Sequence, residues 1–163
     1  MSVPGHIAST FVKSKINEDI QVQPNGVDLT VRRIYKLDGT GFIGFQDKTL
    51  PDYVEIKWVN DRVELNPGAY IVEFNEVIEV PEDHIAMIFP RSSLLRMGCD
   101  LRGALWDSGY RGRSKSLLVV YNPIVLERNA RVAQIVFFKI VGNVAKKYSG
   151  EYLNEGIEEG SSG

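Results

Sequence analysis

The sequence predicts an all-β fold, a barrel or sandwich of short strands with few short helices. Three observations carry this. Short runs rich in β-branched and aromatic residues recur along the chain, and Gly, Pro, Asn and Asp turn signals separate them. Helix signals are sparse. The length, 163 residues, suits one compact domain with a real core, and no fixed-period repeat or linker divides it.

In chain order, residues 7–15 read as a short N-terminal helix. Residues 27–37, VDLTVRRIYKL, alternate apolar and polar for part of their length before the Asp38-Gly39 turn. Residues 53–59, YVEIKWV, alternate too and end at Asn60-Asp61. A third strand is predicted over residues 69–80, after the Asn66-Pro67-Gly68 turn. HIAMIF runs up to Pro90, and SSLLRM offers about one helical turn with Ser92 or Ser93 as its N-cap. Residues 116–122 and 131–141 complete the strands. The domain is expected over residues 1–150. The acidic, Gly- and Ser-rich residues 151–163 are expected as a flexible tail.

Composition removes several functions. The net charge of −2 gives no basic field, so non-specific nucleic-acid binding is not expected. No apolar run is long enough to span a bilayer, and no secretory signal pattern opens the chain, so a cytoplasmic protein is expected. The single cysteine, Cys99, allows neither an intrachain disulfide nor a cysteine zinc cluster.

Residues 90–113, PRSSLLRMGCDLRGALWDSGYRGR, hold the candidate chemistry. Arg91 offers a planar fork of donors that matches phosphate oxygens, and Ser92 and Ser93 add hydroxyls. Taken alone, they read more readily as a helix cap after a surface arginine. Asp107 is a carboxylate able to orient or deprotonate water, but taken alone it reads more readily as the side chain of an Asx turn. Tyr110 suits packing on a sugar or on the core. In ERNARVAQIVFF, strict alternation puts Arg131 and Ala133 on one face of a strand and Val132 and Gln134 on the other.

The order of these pieces is more informative than any one of them. NGVDLTV, PRSSL, GALWDSGYRGR and ERNARVAQIVFF together resemble the trimeric dUTPase and dCTP deaminase superfamily, over residues from about 22 to 141. The resemblance implies the distorted, jelly-roll-like β-barrel of that family. WDSGYRG resembles the dUTPase third motif, which implies Asp107 as the residue that activates water and Tyr110 as the ring against deoxyribose. Family deaminases usually carry Trp where Tyr110 stands, and need a Glu on the following strand. Residues 108–126 contain no Asp and no Glu. The zinc-type deaminase pattern is missing as well.

The resemblance therefore implies hydrolysis of dUTP to dUMP and pyrophosphate. Arg91, Ser92, Ser93 and Gln134 would hold phosphates, with Mg²⁺ carried mainly by the triphosphate. Asp28 and Arg131 would form a supporting ion pair. Arg96 falls where deaminases place a second functional arginine. Uracil would be read by the backbone between about Asp100 and Tyr110, including Gly103, in sites between the subunits of a homotrimer. The alternatives are a dCTP deaminase, a bifunctional enzyme, and a non-catalytic nucleotide-binding relative. Two departures stand out. The chain is about two residues longer than relatives between Gly112 and Tyr121. Its last segment lacks the Arg and Phe of the family's closing motif, leaving Tyr148 or Tyr152 as the aromatic cover.

Overall fold

The computed structural model describes residues 1–157. Helix α1 (Gly5–Ala8) passes through a 3-10 turn, Ser9–Phe11, into β1 (Val12–Lys13). Helix α2 (Glu18–Gln21) and β2 (Val22–Gln23) lead into the longest strand, β3 (Gly26–Asp38). A ribbon of β4 (Phe42–Ile43) and β5 (Lys48–Thr49) precedes β6 (Asp52–Ile56) and β7 (Arg62–Leu65). Then come β8 (Gly68–Phe74), β9 (Val77–Glu79), β10 (His84–Pro90) and helix α3 (Ser92–Arg96). Strands β11 (Cys99–Arg102), β12 (Arg111–Gly112), β13 (Lys115–Val120), β14 (Ile124–Glu127) and β15 (Arg131–Lys139) complete the order.

The main sheet runs β10-β15-β3-β8-β13-β11, with β2 and β6 also paired to β3, and all its pairs are antiparallel. Its two outer strands do not stay apart. Ala86 on β10 exchanges two 3.0 Å backbone bonds with Trp106, just beyond β11. That pair nearly closes the sheet into a barrel and so removes two exposed edges. The interior is filled by alternating residues such as Leu29, Ile34, Val72, Leu118, Ile135 and Phe137, each 1% exposed or less.

On β3, alternation sends Val27, Leu29 and Val31 into the core. Asp28 and Thr30 face the opposite way but are still buried. There Gln21 donates to the Asp28 carbonyl and to Glu76 Oε1, and Glu76 also accepts from the Thr30 backbone and hydroxyl. Burial pushes the Glu76 carboxyl up in pKa, and these hydrogen bonds oppose the rise.

Several sequence expectations change. The strand expected over 69–80 breaks at Asn75-Glu76, where Glu76 turns inward to Thr30. The helix expected over 7–15 ends at Ala8 and continues as a 3-10 turn and a strand. Helix α3 begins at Ser92 with Arg91 as its N-cap residue and no side-chain cap, so neither serine caps it. Strands β7, β11 and β14 were not expected. Each has four residues, and pairing with distant partners is what defines them.

The faces of β15 also differ from strict alternation. The register shifts between Arg131 and Ala133, so Val132 is an extra residue in a β-bulge. Val132 and Ala133 are both buried as a result, while Arg131 and Gln134 both reach Asp28. The bulged Val132 carbonyl accepts from the Arg91 amide at 2.9 Å, which ties β15 to the start of α3.

The segment expected as a flexible tail, 151–163, is described only as far as Ile157; residues 158–163 lie outside the described residues. Up to Ile157 it docks on the barrel. The Asn154 amide donates to the Arg111 carbonyl and the Arg113 amide to the Glu155 carbonyl, each at 2.6 Å.

Candidate active site

Two cavities hold most of the residues singled out in the sequence, and they share no lining residue. The first, of about 480 Å³, is lined by Asp107, Tyr110 and Gly103, together with Trp106, Lys115 and the C-terminal Tyr148, Tyr152 and Glu155. The second, of about 350 Å³, is lined by Asp28, Arg91, Ser92 and Gln134, with Gln23 and Phe89. Ser93 and Arg96 are exposed on α3 and line neither.

In the first cavity, a tight turn presents Asp107. The Tyr110 amide donates to the Asp107 backbone carbonyl at 3.1 Å, and Gly109 takes φ +87°, a conformation that suits glycine. The Ser108 hydroxyl donates to the His84 carbonyl at 2.6 Å, and the Gly109 amide bonds the Val80 carbonyl. The turn is therefore closed by backbone, not by the Asp107 carboxylate. That carboxylate stays exposed on the cavity wall, where it can meet water or a ligand.

Tyr110 is 6% exposed and packs edge-on against Tyr148, with ring centres 5.4 Å apart. Burial pushes its hydroxyl up to about 12, despite the opposing hydrogen bond with Ser114. The Ser114 oxygen also accepts from Trp106 Nε1 at 2.6 Å, which fixes the indole as one wall. Gly103 leaves that wall its space: a Cβ there would stand 2.6 Å from Ile88 Cγ2 and 3.0 Å from Trp106 Cη2.

The sequence reading missed Lys115 and Glu155. Lys115 bonds Glu155 at 2.7 Å and faces Glu73 at 3.5 Å. Burial alone would lower its pKa, but the Glu155 hydrogen bond and the two carboxylates raise it on balance. Lys115 falls within the stretch, Gly112 to Tyr121, that reads about two residues longer than in relatives, which was the available signal. Glu155 had none, because a residue forty positions away meets Lys115 only through tertiary contact. An acid does therefore reach this cavity, but from the C-terminal segment and held by a lysine. Tyr148 and Tyr152, singled out as candidate covers, both line the cavity, and the Tyr152 amide bonds the Tyr148 hydroxyl at 3.1 Å.

The second cavity is organised by Asp28, which is 0% exposed. Arg91 Nε and Arg131 Nη1 each lie 3.1 Å from its Oδ2. Gln134 and Gln23 reach its two oxygens at 3.4 and 3.3 Å. Two cations on one buried carboxylate leave a local positive excess. This is a site suited to an anion.

Among the described residues no group of three or more His, Cys, Asp or Glu side chains could cage a metal. The donor set instead suits a Mg²⁺ that arrives on a polyphosphate and keeps most of its waters. Asp107 is the exposed carboxylate of the first cavity available to such an ion. No described helix is long and apolar enough to cross a membrane.

The family model described as dCTP deaminase-like matches residues 6–140. A protein of Aeropyrum pernix named a probable deoxyuridine 5'-triphosphate nucleotidohydrolase is 46% identical over 138 residues, covering 83% of this chain and 87% of its own length. One of the same name from Methanosarcina mazei is 40% identical over 150 residues, covering 89% and 88%. A 2'-deoxycytidine 5'-triphosphate deaminase structure from Agrobacterium tumefaciens shares the fold, with a TM-score of 0.64 at 23% identity. That match covers 83% of this chain and 47% of the deaminase chain. With its barrel, its exposed Asp107 turn and these matches over most of its length, the chain belongs to the dCTP deaminase-like family.

Proposed function

We propose that the protein hydrolyses dUTP to dUMP and pyrophosphate in the cytoplasm. The observation that carries this reading is the Asp107 turn, whose backbone closes it and leaves the carboxylate to the cavity beside Tyr110. Asp107 takes a proton from a water whose oxygen attacks the α-phosphorus. The bond to the β-phosphate bridging oxygen breaks, and pyrophosphate leaves. Tyr110 packs on the deoxyribose, and Arg91, Ser92 and Gln134, which line the second cavity, hold phosphate oxygens; Ser93, exposed beside them on α3, adds its hydroxyl from outside that lining. Asp28 and Arg131 position Arg91, and Arg96 stands at the far end of the same helix. Mg²⁺, when bound with the nucleotide, neutralises charge on the triphosphate.

The phosphate cavity and the Asp107 cavity lie apart on one chain. Arg91 follows Ala86, the β10 partner of Trp106, by five residues, or roughly 17 Å of strand. Both groups must meet around one triphosphate, which supports sites that combine cavities from neighbouring copies, in the homotrimer that the family resemblance implies.

The test is pyrophosphate release from dUTP, dCTP, dTTP and UTP with Mg²⁺, for wild type and Asp107→Asn. Release from dUTP, reduced about a thousandfold in the variant with binding kept, is the expected result. Deamination of dCTP would favour the second reading, a deaminase, which the Glu155 carboxylate in the cavity keeps in view. Binding without turnover would point to a nucleotide sensor.

A further inference from the structure

The β11–β13 ladder runs from Cys99↔Val120 to Arg102↔Leu117 and then stops. The next opposed residues in that register are Gly103 and Ser116, and both line the Asp107 cavity. Here the two strands part and the cavity opens between them. Ser116 lies on the buried face of β13, in line with Leu118 and Val120, and is 4% exposed.

Its hydroxyl is the one buried side-chain polar atom without a hydrogen-bond partner among the described residues. Several other polar groups around the cavity are engaged, while the Asp107 carboxylate is exposed to solvent. Ser114 serves Trp106 and Tyr110, Lys115 serves Glu155 and Glu73, and the Tyr148 and Tyr152 hydroxyls bond the Tyr152 amide and Lys48. An orphaned buried hydroxyl is a net cost to the fold. Packing gives no reason for it either, since Leu118 and Val120, which follow it along that face, are apolar.

We propose that Ser116 Oγ donates a hydrogen bond to a carbonyl oxygen of the pyrimidine ring, so that this side chain contributes to base recognition. The inference rests on the dUTP reading above and adds a side chain to a base site otherwise read by backbone. A hydroxyl rotates to suit its partner, so it serves any pyrimidine that presents a carbonyl at this edge. Selectivity for uracil over cytosine is left to the backbone.

The test compares wild type, Ser116→Ala and Ser116→Thr by steady-state kinetics with dUTP and by thermal unfolding without nucleotide. Ser116→Ala is expected to raise KM about tenfold with kcat nearly unchanged, the effect of one hydrogen bond to a bound ligand. Its Tm should hold or rise, because no protein partner is lost. An unchanged KM would overturn the inference. If KM rises while Tm falls, Ser116→Thr decides: recovery of KM by the retained hydroxyl supports the contact, and failure to recover overturns it. Failure of the wild-type enzyme to turn over dUTP at all would remove the underlying reading, and this inference with it.

Discussion

Asp28 gains its meaning from what surrounds it. In sequence it is a polar position on an alternating strand. In the fold it is fully buried and holds two arginines from different parts of the chain. Asp28→Ala should leave Arg91 and Arg131 facing each other with no counter-charge. A loss of about 3 kcal/mol is expected in urea unfolding, at the low end for a broken buried pair because both arginines keep some solvent contact. Tyr110 makes a pH argument at the same scale. Its hydroxyl is raised by burial to about 12 in the fold, from the ordinary tyrosine value of about 10 in the unfolded chain. Between those values the unfolded chain releases the proton while the folded chain keeps it. Stability should therefore fall as pH rises from about 10 to about 12. Tyr110→Phe should lose that slope, as denaturant melts across the alkaline range would record.

Among the elements, the C-terminal segment has the clearest consequence. Its ties are hydrogen bonds and ion pairs, the exposed Lys48 with Glu151 at 2.8 Å and the half-buried Lys115 with Glu155 at 2.7 Å, and it adds no fully buried residue after Tyr148. Such contacts contribute little to global stability. A chain ending at Gly150 should melt within about 3 °C of the full protein. It should nonetheless bind dUTP more weakly, because Tyr152 and Glu155 leave the cavity wall. Calorimetric Tm and KM, measured on the same preparation, separate the two effects.

For the whole molecule, the separation of the two cavities makes an assembly argument. If each site draws Asp107 from one copy and Arg91 from a neighbour, Asp107→Asn and Arg91→Ala proteins should each be nearly inactive alone. Unfolded together at equal amounts and refolded as mixed trimers, they should regain about a quarter of wild-type turnover, since one site in four then has both groups intact. No recovery from mixed oligomers would place both groups within a single chain.

Much of this protein was legible before folding. The strand runs, the turn signals and the ordered motifs around Asp28, Arg91, Asp107 and Arg131 are local patterns, and local patterns survive in a one-dimensional reading. Their chemistry is intrinsic to residue type, so a candidate phosphate-binding arginine and a candidate base were identifiable from spacing and resemblance. The rest required the third dimension. A bulge at Val132 brings Arg131 and Gln134 to one carboxylate, although strict alternation separates Gln134 from Arg131. A tail with no motif of its own brings Glu155 to Lys115, and the Ser116 hydroxyl, just past the end of the β11–β13 ladder, is buried without a partner. These are decided by contacts between residues far apart in the chain, and by burial that no single position carries.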